Sequence, residues 1–207
     1  MKSLELLNDL LKINSIKISI YKSFSWASGW KSPIYFDNRI SLSYPKIRKK
    51  ITSRLVDIIK AKYKEVDVIA GVATAGIPQG ALVADALNLP FIYVRSQNKS
   101  HGMKNLIEGK LEKNSRTILI EDLISTGGSS IKSVEAIRES GSKVLSVLSI
   151  FNYGFEISKD NFQSISCDTN SIYYYNDLME IALQEKYITE SELEKLKNWR
   201  EDPEKWK

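Results

Sequence analysis

Cysteine and histidine are almost missing from this chain of 207 residues, which has one of each, Cys167 and His101. A lone thiol excludes an internal disulfide, and with so few nitrogen and sulfur ligands a zinc or iron centre of the usual kind is not expected. No histidine stands near Cys167, so the thiol reads as core filler rather than a nucleophile. Long apolar runs are missing too: no stretch approaches the ~20 residues that would cross a bilayer. Residues Met1 to Leu11 alternate acids and lysines with leucines, unlike a signal peptide. These absences predict a cytoplasmic protein with no membrane partner. Internal repeats, low-complexity tracts and linkers are likewise lacking, so one compact domain is expected from a composition 43% hydrophobic and 27% charged.

The formal charge of +5 invites a nucleic-acid reading. Much of the excess lies in PKIRKKITSRLVDIIKAKYK, where Ile47, Ile51, Leu55 and Ile58 form a helical apolar stripe and the cations occupy the other face. No aromatic stacking residues interleave with the basic ones, so a solvated surface helix is expected and no nucleic-acid partner. A modest positive balance also suits an anionic small-molecule substrate.

Along the chain, leucines 4, 7 and 11 are spaced for an N-terminal helix with Ser3 as its cap. IKISIYKSFSWASGWKSPIYFDNR alternates more like strand, interrupted by a turn at Ser28, Gly29 and Pro33. The basic helix starts near Pro45. VDVIAGVATAGIPQGALVADALN reads as strand, small-residue loop and a helix opened by Pro78. PFIYVR is a second strand of this kind, SQNKSHGMKNLIEG an exposed loop, and RTILIED a third strand, with LISTGGSS as its loop. IKSVEAIRES is a helix ended by Gly141, KVLSVLSIF a fourth strand, and NDLMEIALQEK and TESELEKLKNWR two closing helices. Strands alternating with helices predict an α/β fold with a largely parallel sheet covered on both faces. Ligands of such sheets bind beyond the carboxyl ends of the strands, so GVATAG and EDLISTGG should face one crevice.

The second of these loops carries chemistry. A glycine and hydroxyl loop leading into a helix offers unpaired N–H groups at the positive end of the helix dipole, which is a cradle for phosphate. Gly127 and Gly128 allow close backbone approach, while Ser125, Thr126 and Ser129 can donate to phosphate oxygens. A capped turn would need one glycine and one hydroxyl, not five such residues in succession. Glu121 and Asp122 precede the cradle; they could accept from the vicinal hydroxyls of a ribose 5-phosphate, bind Mg²⁺, or cap the helix. The chain contains neither G-x-x-x-x-G-K-[ST] nor G-x-G-x-x-G, so neither a P-loop enzyme nor a dinucleotide dehydrogenase is expected.

ILIEDLISTGGSS resembles the phosphoribosyl pyrophosphate (PRPP) signature of the type I phosphoribosyltransferases. FSWASGWKSPIYFDNR, GVATAGIP, YVRSQNKSHG and the tail ITESELEKLKNWREDPEKW are each similar to segments of the orotate phosphoribosyltransferase family, so the resemblance covers nearly the whole chain. It implies one phosphoribosyltransferase domain: a hood segment at about 1–40, a core at about 45–175 and C-terminal helices at about 176–207. The implied reaction joins N1 of orotate to C1 of the PRPP ribose and expels pyrophosphate, with Mg²⁺ as cofactor, in a homodimer with shared active sites.

Carried over by position, Arg95, Lys99 and His101 are loop residues that contact pyrophosphate in the partner subunit's site. With Asp122 they make up the implied catalytic set. Glu121, Asp122, Leu123, Ile124, Ser125, Thr126, Gly127, Gly128 and Ser129 hold the ribose phosphate, and Thr74 and Ala75 belong to a small pyrophosphate loop. Ser125, Tyr35 and Phe36 lie where the family meets orotate, although two aromatics beside a strand also suit a core. No protein side chain is implied as a direct metal ligand, Mg²⁺ being held through PRPP. Some bacterial members have lysines where this chain has Ala27, Ala75 and Ser96, and an arginine where it reads FNYGFE. Lys31 or Arg39 is then left to hold the orotate carboxylate. Two other readings share the cradle: a phosphoribosyltransferase for a different base, and a non-catalytic PRPP-sensing regulator.

Overall fold

The structure, a computed structural model, describes residues 4–26, 29–96 and 106–206. The chain divides into two compact units, one made of Met1–Arg48 and Tyr173–Lys207, the other of Lys49–Ile172.

In the first unit, helix α1 (Glu5–Lys12) buries Leu6, Leu7, Leu10 and Leu11. The leucine stripe is therefore shifted from the expected one: Leu4 occupies the N-cap position without a side-chain cap, and Ser3 lies outside the described residues. Strands β1 (Ile16–Ile18), β2 (Phe24–Ser25), β3 (Lys31–Ser32) and β4 (Ile34–Phe36) form two antiparallel pairs, β1 with β4 and β2 with β3. A 3₁₀ turn at Asn38–Ser43 follows, its entry capped by the Asp37 side chain. The tail supplies α6 (Tyr175–Gln184) and α7 (Glu190–Glu201). Thr189 and Glu192 cap α7 reciprocally, satisfying N–H groups that its first turn cannot pair internally. Trp199 of α7 is buried; its indole N–H donates to the Lys31 carbonyl at 3.2 Å and its ring meets Trp26 edge-on at 5.9 Å. The last helix thus fastens the N-terminal strands of its own unit.

Helix α2 (Pro45–Lys62) leads into the second unit. It buries Ile47, Ile51, Leu55 and Ile59. Ile59 rather than Ile58 completes the stripe, because a spacing of four keeps the row on one face. The second unit then alternates β5 (Val68–Val72), α3 (Gly76–Leu87), β6 (Phe91–Val94), β7 (Ile107–Glu108), β8 (Arg116–Ile124), α4 (Gly128–Glu139), β9 (Lys143–Asn152), α5 (Glu156–Ser164) and β10 (Thr169–Tyr174). Its six-stranded sheet has the order β10-β9-β8-β5-β6-β7. Strands β6, β5, β8 and β9 are mutually parallel, and β7 folds back antiparallel on β6. On the far side, Ser146 and Val147 bond to Asp168 and Ser149 bonds to Ser171, contacts that advance together as in parallel pairing. All five residues of β5 are buried, as a strand covered on both faces requires.

Several elements differ from the sequence reading. Strand β8 runs past the two acids to Ile124, because its pairing with β9 continues to Leu123↔Phe151 and Ile124↔Asn152. The loop shrinks to residues 125–127. Helix α3 begins at Gly76, and Pro78 sits within its first turn, where a missing N–H costs nothing. Helix α5 opens on the last residue of FNYGFE, and both it and β10 lie where the sequence pattern predicts no element.

At the amino ends of β5 and β8, Arg116 grips Asp67 with two guanidinium bonds of 2.8 Å and adds a backbone N–H bond of 2.8 Å. These bonds from Arg116 hold the Asp67 carboxyl down to about 2, against an ordinary 3.8. A depressed carboxyl stabilises the fold above its unfolded value and loses that contribution as pH falls through the folded one. Asp67→Asn should therefore lower the unfolding temperature at neutral pH. The gap from the parent protein should narrow below pH 4 and close near pH 2, as followed by circular dichroism melts across that range.

Candidate functional site

The order of strands reverses between β5 and β8. From β5 the chain moves outward to β6 and then returns past β5 to β8, so the loops after β5 and β8 open at a topological switch point. Both loops lead into helices. The N-cap residues, Ala75 for α3 and Gly127 for α4, provide no side-chain cap. The first N–H groups of a helix have no intrahelical partner, so two positive helix ends stand at the carboxyl ends of neighbouring strands. That pairing suits a ligand with more than one phosphate.

The close approach is built by glycine. A Cβ on Gly76 would lie 2.4 Å from the Ile120 carbonyl oxygen, so only glycine lets the start of α3 lie against β8. Gly127 has φ +85°, a left-handed conformation, and a Cβ there would lie 2.6 Å from Cε2 of Phe162. Gly128 opens onto space. Thr74 is exposed in the residues joining β5 to α3, where the Ala73–Thr74 peptide is cis.

Glu121, at the end of β8, is only 4% exposed. One carboxyl oxygen accepts the Asp122 N–H at 3.1 Å; the other accepts the hydroxyls of Ser129 at 3.2 Å and Ser130 at 3.0 Å. The acid therefore ties the first turn of α4 to the strand. Burial, reinforced by the negative Asp122 alongside, makes it a weaker acid, its pKa well above the ordinary carboxylate range. Asp122 is half-buried. Leu123 and Ile124 are still strand, and the Ile124 side chain is in the core, so its contribution to a ligand is limited to backbone. Ser125 and Thr126 are half-buried and Ser129 is exposed. Ser130, buried and bonded to Glu121, is a contact of this strand end that the sequence pattern did not single out, although it stands directly after the cradle. Burial also raises the phenol of Tyr153, which follows β9, with Asp122 contributing.

Arg95 follows β6. Its guanidinium pairs with Glu108 of β7 at 3.5 Å, and its N–H donates to the Leu106 carbonyl at 2.9 Å. Lys99 and His101 fall in the segment joining these strands and lie outside the described residues, as does Ala27. The sheet unit thus holds Arg95, Thr74, Ala75 and the run 121–129.

Tyr35, Phe36, Lys31 and Arg39 belong to the other unit. Phe36 is buried, as its packing alternative requires, while Tyr35 is half-buried with its ring 5.5 Å from Phe24. Arg39 is clamped on Asp37 by bonds of 2.7 and 2.9 Å, and those bonds keep the Asp37 carboxyl below its ordinary value. The Lys31 ammonium donates to the neutral Ser25 hydroxyl at 2.7 Å.

A family model described as a phosphoribosyl transferase domain matches residues 42–178. An orotate phosphoribosyltransferase of Cytophaga hutchinsonii is 49% identical over 198 residues, spanning 96% of this chain and 95% of its own. One from Bacteroides thetaiotaomicron is 48% identical, spanning 100% of this chain and 98% of its own. The crystal structure of orotate phosphoribosyltransferase from Aeropyrum pernix superimposes with a TM-score of 0.73 at 25% identity, over 85% of this chain and 98% of that one.

Two glycines of the site should respond in opposite ways to a methyl group. Gly76→Ala must displace backbone and should destabilise by about 1–3 kcal/mol. Gly128→Ala meets nothing and should stay within about 0.5 kcal/mol of the parent protein. Denaturant melts of the pair check both.

Proposed function

The chain belongs to the orotate phosphoribosyltransferase family, and from that premise we propose that it transfers the 5-phosphoribosyl group of PRPP to N1 of orotate. The products are orotidine 5'-monophosphate and pyrophosphate. The single observation that carries this reading is the pair of uncapped helix ends at the switch point, with a carboxyl pair on the strand between them. Residues Ser125 to Ser129 bind the 5-phosphate of the ribose, and the residues ahead of them meet its hydroxyls. Asp122, half-buried at the strand end, accepts from a ribose hydroxyl; Glu121 shares in this while ordering the turn through its serines. Thr74 and Ala75, before the uncapped start of α3, receive the pyrophosphate.

As the bond at C1 breaks, negative charge gathers on the departing pyrophosphate and positive charge on the ribose. Fixed cations at the leaving group stabilise that state more than the ground state. Arg95, Lys99 and His101 take this role, entering the site of the partner subunit in a homodimer. Arg95 must then exchange Glu108 for the ligand. A partly exposed pair at 3.5 Å offers little resistance, about 0.2–1 kcal/mol. The phosphates gathered at the two helix ends also suit Mg²⁺, which keeps substrate phosphates among its ligands, so the ion would be held through PRPP with no protein side chain as a direct ligand. When bound through PRPP, the ion shares the charge that builds on the leaving group.

For orotate we assign Tyr35 and Phe36 to the neighbourhood of the base and Ser125 to its polar edge. Lys31 is the better candidate for the carboxylate. Its ammonium meets a neutral hydroxyl, whereas the Arg39 charge is already balanced by Asp37. The activity is assigned to the cytoplasm, on small molecules rather than nucleic acid.

The direct test is orotate consumption, followed by ultraviolet absorbance with Mg²⁺ in the presence and absence of PRPP. Loss of the orotate signal only with PRPP is expected, and indifference to orotate in a panel of bases would assign the protein another substrate. Within the loop, Lys99→Ala should lower kcat by about 3 kcal/mol of barrier, the loss of one preorganised donor, with little change in PRPP binding. Near-normal turnover would remove Lys99 from the machinery.

A further inference from the structure

We propose that Asn161, on α5, is a positioning residue for the phosphate cradle: its side-chain amide fixes the Thr126–Gly127 peptide so that the Gly127 N–H faces the 5-phosphate of the ribose. This rests on the reading of residues 125–129 as the phosphate site. The Asn161 amide donates to the Thr126 carbonyl at 3.1 Å. In a trans peptide the carbonyl and the following N–H point in opposite directions. Holding the Thr126 carbonyl toward α5 therefore turns the Gly127 N–H away from α5, to the side on which a ligand can approach. A free turn with glycine second in the pair could flip that plane, because glycine accepts either sign of φ.

The next residue of the same helix supplies an independent constraint. Phe162 is buried in the sheet core with Val134 and Ile137 of α4, and its ring underlies Gly127, leaving no room for a Cβ there. Past the end of α5, the Arg138 guanidinium of α4 donates to the carbonyls of Ile165 and Ser166. Helix α5 is thus anchored to α4 without help from Asn161. Removing the amide should leave the helix seated and release only the peptide plane. The reaction chemistry places pyrophosphate elsewhere, so loss of Asn161 should be felt at the ribose phosphate and not at the leaving group.

The test uses the full chain with Asn161→Leu, which keeps the bulk without a donor, and Asn161→Ala. Binding of ribose 5-phosphate and of pyrophosphate is measured by calorimetry, alongside steady-state kinetics and melts. The expected result is an affinity for ribose 5-phosphate about tenfold weaker, the equivalent of one hydrogen bond, and a matching rise in KM for PRPP. Pyrophosphate affinity, KM for orotate and the unfolding temperature should stay near those of the parent protein. The double variant Ser125→Ala/Thr126→Ala serves as the control for the cradle itself. If it binds ribose 5-phosphate normally, the phosphate reading of the loop fails. If it loses ribose 5-phosphate while both Asn161 variants bind like the parent protein, the positioning role of Asn161 is overturned. An equal loss of both ligands in the Asn161 variants would mean general distortion and would overturn it as well.

Discussion

The hydrogen-bonded adjacency of β5 and β8 is the constraint on which the rest of the molecule depends. Parallel pairing brings Gly71 opposite Ile120, so the carboxyl ends of both strands open on the same edge of the sheet, β8 running three residues further. Each hands the chain to a helix whose N-cap offers no side chain, so both positive ends stand at the same edge of the sheet. The glycine at the start of α3 exists to allow this approach, since any side chain would collide with the carbonyl of Ile120. At the opposite end, Asp67 and Arg116 tie the same two strands by a bidentate ion pair, so their register is fixed from both directions.

The carboxyl of Glu121 carries a tension between stability and use. A buried acid with three donors is well satisfied as an acceptor, yet no cation offsets its charge among the groups that shift it, and burial dominates. The strand end therefore holds an acid that is expensive to ionise. A core built for stability alone would set an apolar residue there, as it does at Ile120 and Ile124 on the same strand. Such a departure from the local pattern is what marks a functional position in an otherwise regular strand.

Much of this was readable from local pattern. The alternation of apolar runs with amphipathic segments is enough to indicate a parallel α/β sheet, and the contiguous acids, hydroxyls and glycines of 121–129 stand out as a candidate site without a fold. Strand ends were less legible, because Leu123 and Ile124 are equally good as strand or loop until their partners Phe151 and Asn152 are known. Helix α5 carries the weakest signal. EISKDNFQS offers a single aromatic anchor among polar residues, and Asn161 matters only through a carbonyl 35 positions away in sequence. Likewise Tyr35 and Phe36 look alike as neighbours in a strand, and only the pleat, which turns them to opposite faces, separates the buried ring from the half-exposed one.

The first unit is discontinuous in the chain: its opening strands are secured by Trp199 of the closing helix, with the entire sheet unit encoded between them. During synthesis the early strands leave the ribosome long before the residue that locks them exists. The sheet unit, contiguous in sequence, is free to form first. Translation must then pass residue 199 before the amino-terminal segment finds its lock, so a nascent chain stalled ahead of Trp199 carries a finished sheet and an unfastened beginning.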